Sequence, residues 1–188
     1  VFNKESNEPL WTGSMGEQGQ VIEMSDDSNY VVVGSGEKVH LFDTLTGELL
    51  WDYDIGNFIR EIDISSNGSH IIVSGSHGKR YNDKLFLFNK NSSTPLWSYQ
   101  TEGTEIASLG AAAFADVEIS SDGKIIAGIS QNGKLYSFSS QSNVPIWSSI
   151  TSEEGGNLFS MTPDGSSFIG HCRDRGQNGP LCSYNFTD

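Results

Sequence analysis

The sequence is short of several things at once: two cysteines, five prolines, eleven basic residues and no long apolar run in 188 residues. Two cysteines exclude a disulfide-dense scaffold. Five prolines exclude collagen-like and polyproline chains. Against 24 Asp and Glu, the few Lys and Arg leave a net charge of −13, a field that repels phosphate backbones and anionic lipid. No nucleic-acid binding is expected. The best apolar stretches, Val31-Val32-Val33 and the run from Ala111 to Ala115, fall well below the ~18 residues of a membrane-spanning helix, so no membrane insertion is expected either. No stretch carries a helical period with caps. The chain opens at Val1 without Met or a signal peptide, which reads as a trimmed or excised segment.

What is present points to a folded, turn-rich domain. Aromatics make up 11% of the residues, too many for a disordered chain, and 21 glycines suggest many tight turns. The aromatics recur at fixed offsets. Trp11, Trp51, Trp97 and Trp147 are spaced 40, 46 and 50 residues apart, and nine residues before each stands Phe2, Phe42, Phe88 or Phe138. After each Phe comes Asn3, Asp43, Asn89 or Ser139, residues that accept bonds from the following backbone in a turn. Pro9, Pro95 and Pro145 lie two residues before three of the Trp, and proline in a sheet marks an edge strand.

A second signature opens each unit. Ile22 to Ser28, Ile62 to Gly68, Val117 to Gly123 and Phe159 to Gly165 superimpose, each alternating apolar and polar residues before a turn. A β-rich apolar run follows each turn, and in the third unit Asn132-Gly133 leads on as a hairpin turn. One unit is therefore four short antiparallel strands in about 40–50 residues, the size of one blade of a β-propeller. The expected fold is all-β, a propeller of four-stranded antiparallel blades with four blades' worth of strands in this chain. It forms a single array over residues 1–188, with units at 12–51, 52–97, 98–147 and 148–188, the last completed by strand 1–11. Each Trp is expected to fill the gap between neighbouring blades.

The segment Asp43-x-x-Thr46-Gly47-x-x-x-Trp51 resembles the tryptophan-docking motif of pyrroloquinoline-quinone-like propeller repeats. The Ile-Ser-Ser-Asp-Gly opening resembles WD-repeat-like blades of bacterial and archaeal surface proteins. The resemblance covers essentially the whole chain, although only one unit carries the full docking motif. It implies a prokaryotic protein outside the cytoplasm: secreted, periplasmic or on the cell surface. The strands are out of phase by one, which leaves closure open between a four-bladed ring, a ring of two chains (a homodimer) and part of a longer seven- or eight-bladed propeller.

Chemistry is less conspicuous. His40, His70, His77 and His171 lie in different units or loops with no metal-ligand spacing, and no nucleophile elbow, P-loop or dinucleotide fingerprint occurs. A quinone-dependent dehydrogenase would need calcium ligands, a catalytic Asp and a stacking Trp in the channel, whereas all four Trp are assigned to blade packing. No catalytic residue, no catalysis and no cofactor are expected. One recurring feature is a candidate cation site: Glu23, Asp63 and Glu118 follow the first apolar residue of the innermost strand, and three carboxylates near a channel suit Ca²⁺. The alternative is that they face solvent or pair with backbone amides. Cys172 and Cys182 flank a hairpin loop and are a candidate disulfide; the third unit's register sets Cys172 opposite Leu181, with the thiols on opposite faces, and the extra loop residues Arg173–Pro180 are the alternative that shifts it by one. Sequons at Asn67, Asn91 and Asn185 are as frequent as composition gives by chance. Binding of a protein partner or small ligand is expected through the irregular loops Gly75–Lys84, Gln100–Ala115 and Cys172–Leu181. A segment of a quinone-dependent or other propeller enzyme, and a carbohydrate-binding propeller, are the alternatives.

Overall fold

A computed structural model of the chain describes residues 7–76, 84–101, 114–131, 133–150, 159–171 and 181–185. Every regular element in it is a strand. The first sheet holds β1 (Gly19–Met24), β2 (Tyr30–Ser35), β3 (Lys38–Asp43) and β4 (Leu49–Asp54), paired in that order. The second repeats the meander with β5 (Phe58–Ile64), β6 (His70–Ser76), β7 (Lys84–Asn89) and β8 (Ser92–Gln100). The third does so with β9 (Phe114–Ile119), β10 (Ile125–Ser130), β11 (Lys134–Ser139) and β12 (Trp147–Ile150). In the fourth, β13 (Phe159–Met161), β14 (Ser167–His171) and β15 (Leu181–Asn185) make three strands among the described residues.

The sheets stack face to face in chain order, as propeller blades do, and bury one core per junction. Val32, Val39 and Leu41 of sheet 1 meet Ile62, Ile64, Ile71, Val73, Phe86 and Phe88 of sheet 2. Ile72, Leu85 and Leu87 then meet Val117, Ile119, Ile126, Tyr136 and Phe138 of sheet 3, and Ala127, Ile129 and Leu135 meet Phe159 and Phe168 of sheet 4. Middle strands are covered on both faces. That is why β2, β6 and β10 read as continuous apolar runs where β4, β8 and β12 alternate.

The turn between the first two strands of each sheet is built four times on one plan. Asp27, Asn67, Asp122 and Asp164 each accept the amide two residues on, at 2.9–3.0 Å. The hydroxyls of Ser25, Ser65, Ser120 and Thr162 accept the amide five residues on, at 3.0–3.1 Å. The turn needs a left-handed residue next, supplied by Gly68, Gly123 and Gly165 at φ 70–73°. In sheet 1 the same place is held by Ser28 at φ 60°.

Three expectations are revised. Outer strands continue past the Trp, β4 to Asp54, β8 to Gln100 and β12 to Ile150, so unit boundaries drawn at Trp51, Trp97 and Trp147 fall inside or at the start of those strands. The gain is a second, half-buried ring: Tyr53 packs at 5.4 Å on Phe88, and Tyr99 at 4.9 Å on Phe138. The loops are shorter than drawn, because Gly75 and Ser76 belong to β6, Lys84 to β7, Phe114 and Ala115 to β9, and Leu181 to β15. In sheet 4, Leu181 pairs with His171 and Cys182 with Gly170, one residue away from the expected register. This is the register of the other sheets: Tyr184 stands opposite Phe168, stacked at 4.8 Å and 10°, as Phe42 stands opposite Val31, Phe88 opposite Ile71 and Phe138 opposite Ile126. Cys182 is disulfide-bonded, and the one other cysteine, Cys172, lies outside the described residues.

Candidate functional site

Phe2 and His77 lie outside the described residues. The other aromatic positions converge on the seams between sheets. Trp11 donates its indole N–H to the Thr44 carbonyl at 2.7 Å, Trp51 to that of Lys90 at 2.8 Å, and Trp97 to that of Ser140 at 3.0 Å. Each ring rests on the third-strand Phe of the sheet it enters: Phe42 at 6.0 Å, Phe88 at 5.4 Å and Phe138 at 5.6 Å. Trp147 sits against Phe168 at 5.8 Å and Tyr184 at 6.0 Å, with Tyr184 in the place of that Phe. A unit that reads in sequence as Asp43 to Trp51 thus works across two sheets. Its turn receives Trp11 from before it, and Trp51 reaches forward into the next turn. Asp43 shapes that turn by accepting the amides of Leu45 and Thr46 and the Thr46 hydroxyl at 2.8–3.0 Å, and those donors hold its carboxyl below the usual carboxylate range. Gly47, at φ 73°, leaves room for the indole: a Cβ there would lie 2.6 Å from the Trp11 ring.

Toward the axis, where the first strands β1, β5, β9 and β13 lie side by side, the candidate carboxylates form a second kind of seam. Asp63 accepts the Ile119 amide of sheet 3 at 2.7 Å and its own neighbour Ile64 at 2.7 Å. Glu118 accepts the Met161 amide of sheet 4 at 2.6 Å. Burial dominates their electrostatics. It drives Asp63 up to about 7 against the pull of its two amide donors, and it raises Glu118 and Glu23 as well. The sequence reading missed two members of this row. Glu61 and Asp116 stand two residues before Asp63 and Glu118, on the same side of the pleat; both are raised by burial, Glu61 also by the charges of Asp116 and Glu23. Two-residue alternation along the strand was the signal for them.

A third seam is made by the turns. The Asp27 amide donates to the Ser66 carbonyl, Ser66 to Ser121, and Ser121 to Pro163, at 2.7–3.1 Å, linking all four sheets. Asp63 and Glu118 accept backbone amides of the next sheet, and among the described residues no three His, Cys, Asp or Glu side chains are placed to hold one metal ion. Each Trp is seated between sheets with its ring against Phe or Tyr. His40 is buried on β3 at the position of Phe86 and Tyr136, 6.2 Å from Phe42, with Nε2 lacking a hydrogen-bond partner, and burial lowers its pKa. His70 packs on Gly123 of the next sheet. The Asn67 side chain is used within its turn. No helix of the described residues is long and apolar enough to cross a membrane.

No curated protein matches the chain. The family model of pyrroloquinoline-quinone-like repeats described as outer membrane protein assembly factor BamB matches residues 1–165. Recurring Trp seams, stacked four-stranded sheets and that match over most of the length agree, and the chain belongs to this family of propeller repeats.

Proposed function

We propose that the chain is a non-catalytic propeller scaffold, without a cofactor, that binds a protein partner through the connections between its strands. One observation carries this reading: the polar and aromatic groups that recur from unit to unit are committed to seams between sheets. Side chains so engaged hold the frame rigid and offer little to a substrate, so specificity falls to the parts that differ between units. Those are the connections 77–83, 102–113 and 172–180, and rigid frames commonly present such loops to partners. The net charge of −13 favours a partner surface rich in Lys and Arg.

We further propose that the protein works outside the cytoplasm. The disulfide at Cys182 supports an oxidising compartment, and the description of the matching family names the outer membrane. The test replaces each of the three connections in turn with a short Gly-Ser link and measures binding to partners identified by cross-linking in the source envelope. Loss of binding from at least one replacement that keeps the far-UV spectrum supports the scaffold. Binding that survives all three, or turnover of an alcohol substrate after addition of pyrroloquinoline quinone and calcium, contradicts it.

A further inference from the structure

At one junction between sheets a lysine of the chain itself fills a groove that the next junction leaves open. Between sheets 1 and 2, Lys90 follows β7 and turns its ammonium over the Tyr30 ring, 4.5 Å from the centroid, donating to the Asn67 carbonyl at 3.4 Å. Each member of this seat has a counterpart one junction on. Ser140 stands in the place of Lys90, since each accepts the indole N–H of the preceding sheet's Trp. His70 stands in the place of Tyr30. The two open β6 and β2, and each ring lies so close on a glycine of the next sheet, Gly123 or Gly68, that a Cβ there would strike it. Asp122 stands in the place of Asn67 and makes the same turn.

Serine is too short to reach where the Lys90 ammonium lies. Between sheets 2 and 3 there is in consequence a groove of about 510 Å³, bounded by His70, Leu96 and Trp97 on one side and by Asp122, Lys124 and Ser140 on the other. Leu96 and Trp97 offer an apolar wall to a methylene stem. Asp122 adds a carboxylate that Asn67 lacks. Burial lowers the His70 pKa from 6.5, so at neutral pH the ring adds no positive charge to the groove. Lys124 pairs with Asp122 at 2.8 Å, but from the rim, with its side chain 75% exposed, and an ion pair so open to water holds its place weakly.

We propose that this groove binds a lysine side chain of a protein partner, seated between His70 and Asp122 as Lys90 is seated between Tyr30 and Asn67. The internal lysine shows the occupant that such a seat accepts, and the net charge of −13 draws a basic partner toward it. The site is separate from the connections 77–83, 102–113 and 172–180. Those leave the strands at the end where Gly75 pairs with Lys84, Phe114 with Ser130 and His171 with Leu181. The groove lies at the opposite end, where His70 pairs with Asn89 and the turn at Asp122 joins β9 to β10. Loss of binding at one end therefore leaves the other end to be judged by itself.

The test titrates ¹⁵N-labelled protein at low ionic strength with the peptide acetyl-Gly-Lys-Gly-Lys-Gly-amide, and with the same peptide carrying norleucine in place of lysine. The lysine peptide is expected to shift the Trp97 indole N–H and the amides of Gly123 and Lys124 in a saturable way, and the norleucine peptide to leave them in place. Ser140→Lys puts the chain's own ammonium into the groove, as Lys90 does one junction earlier, and is expected to abolish those shifts. Asp122→Asn keeps the turn, which Asn67 makes in sheet 2, and is expected to weaken binding about five- to tenfold. A lysine peptide that leaves these signals unmoved, or a norleucine peptide that moves them equally, would overturn the proposal. So would wild-type affinity in Ser140→Lys or in Asp122→Asn.

Discussion

Raising the pH from 5 to 8 is expected to weaken the fold, and Asp63 is the largest single reason. Its carboxyl titrates near 7 in the folded chain, against 3.8 for an ordinary aspartate. Between those values the folded state holds a proton that the unfolded state has released, so stability falls as pH rises through this window and levels off above it. Each pKa unit corresponds to about 1.4 kcal/mol, and integrating from pH 5 to 8 gives a loss of about 2–3 kcal/mol from this residue alone. Glu23, Glu61, Asp116 and Glu118 shift in the same direction and add to the slope, whereas burial lowers His40 and His70 from 6.5, which opposes it in the lower part of this range. Asp63→Asn separates the contributions. Its amide nitrogen must face one of the two N–H groups that Asp63 accepts, which costs about 1–3 kcal/mol at pH 5. At pH 8 the wild type carries the buried charge and the variant does not, so the deficit is expected to shrink by about 2–3 kcal/mol. Urea unfolding of both proteins at pH 5, 6, 7 and 8 reads this directly. A wild type whose stability is flat or rises over that range, or a variant with the full wild-type slope, refutes the reasoning.

Other perturbations probe the Trp seams and the repeated turn. Gly47→Ala puts a Cβ at φ 73° and 2.6 Å from the Trp11 ring, and a loss of about 2–3 kcal/mol in denaturant unfolding is expected. Trp97→Phe keeps most of the apolar contact with Phe138 and loses the bond to Ser140, for about 1 kcal/mol. Trp97→Ala is expected to cost about 3–5 kcal/mol, measured the same way. Ser28→Gly relieves a left-handed residue at φ 60° and is expected to raise the melting temperature, with a gain of about 0.5–1 kcal/mol.

The fold was legible because its signals are local and repeated. Apolar alternation, a turn at Asn67-Gly68, Asp122-Gly123 or Asp164-Gly165, and an aromatic at a fixed offset each act within a few residues, and four copies separate them from chance. The destination of each indole was not legible in the same way. Trp51 seats 39 residues onward and Trp97 43 onward, and no local pattern carries that distance. The register expected for sheet 4 was off by one although the repeat carried it: Tyr184 takes the place of Phe42, Phe88 and Phe138, and pairs with Phe168 as they pair with Val31, Ile71 and Ile126. The axial row was half found. Glu23, Asp63 and Glu118 stand out by repetition, whereas Glu61 and Asp116 have Val21 as their counterpart in sheet 1 and so break the repeat. The amide partners of Asp63 and Glu118 lie 56 and 43 residues away, beyond what spacing can suggest.

The central claim is that indoles lock each sheet to the next, and exchange of their own protons tests it most directly. In ¹⁵N-labelled protein transferred to deuterated buffer, the Nε1 protons of Trp51 and Trp97 are expected to persist alongside the slow amides of β6 and β10. Both should vanish together with those amides under denaturant. Indole protons that exchange at the rate of free tryptophan while those strand amides stay protected would contradict the account.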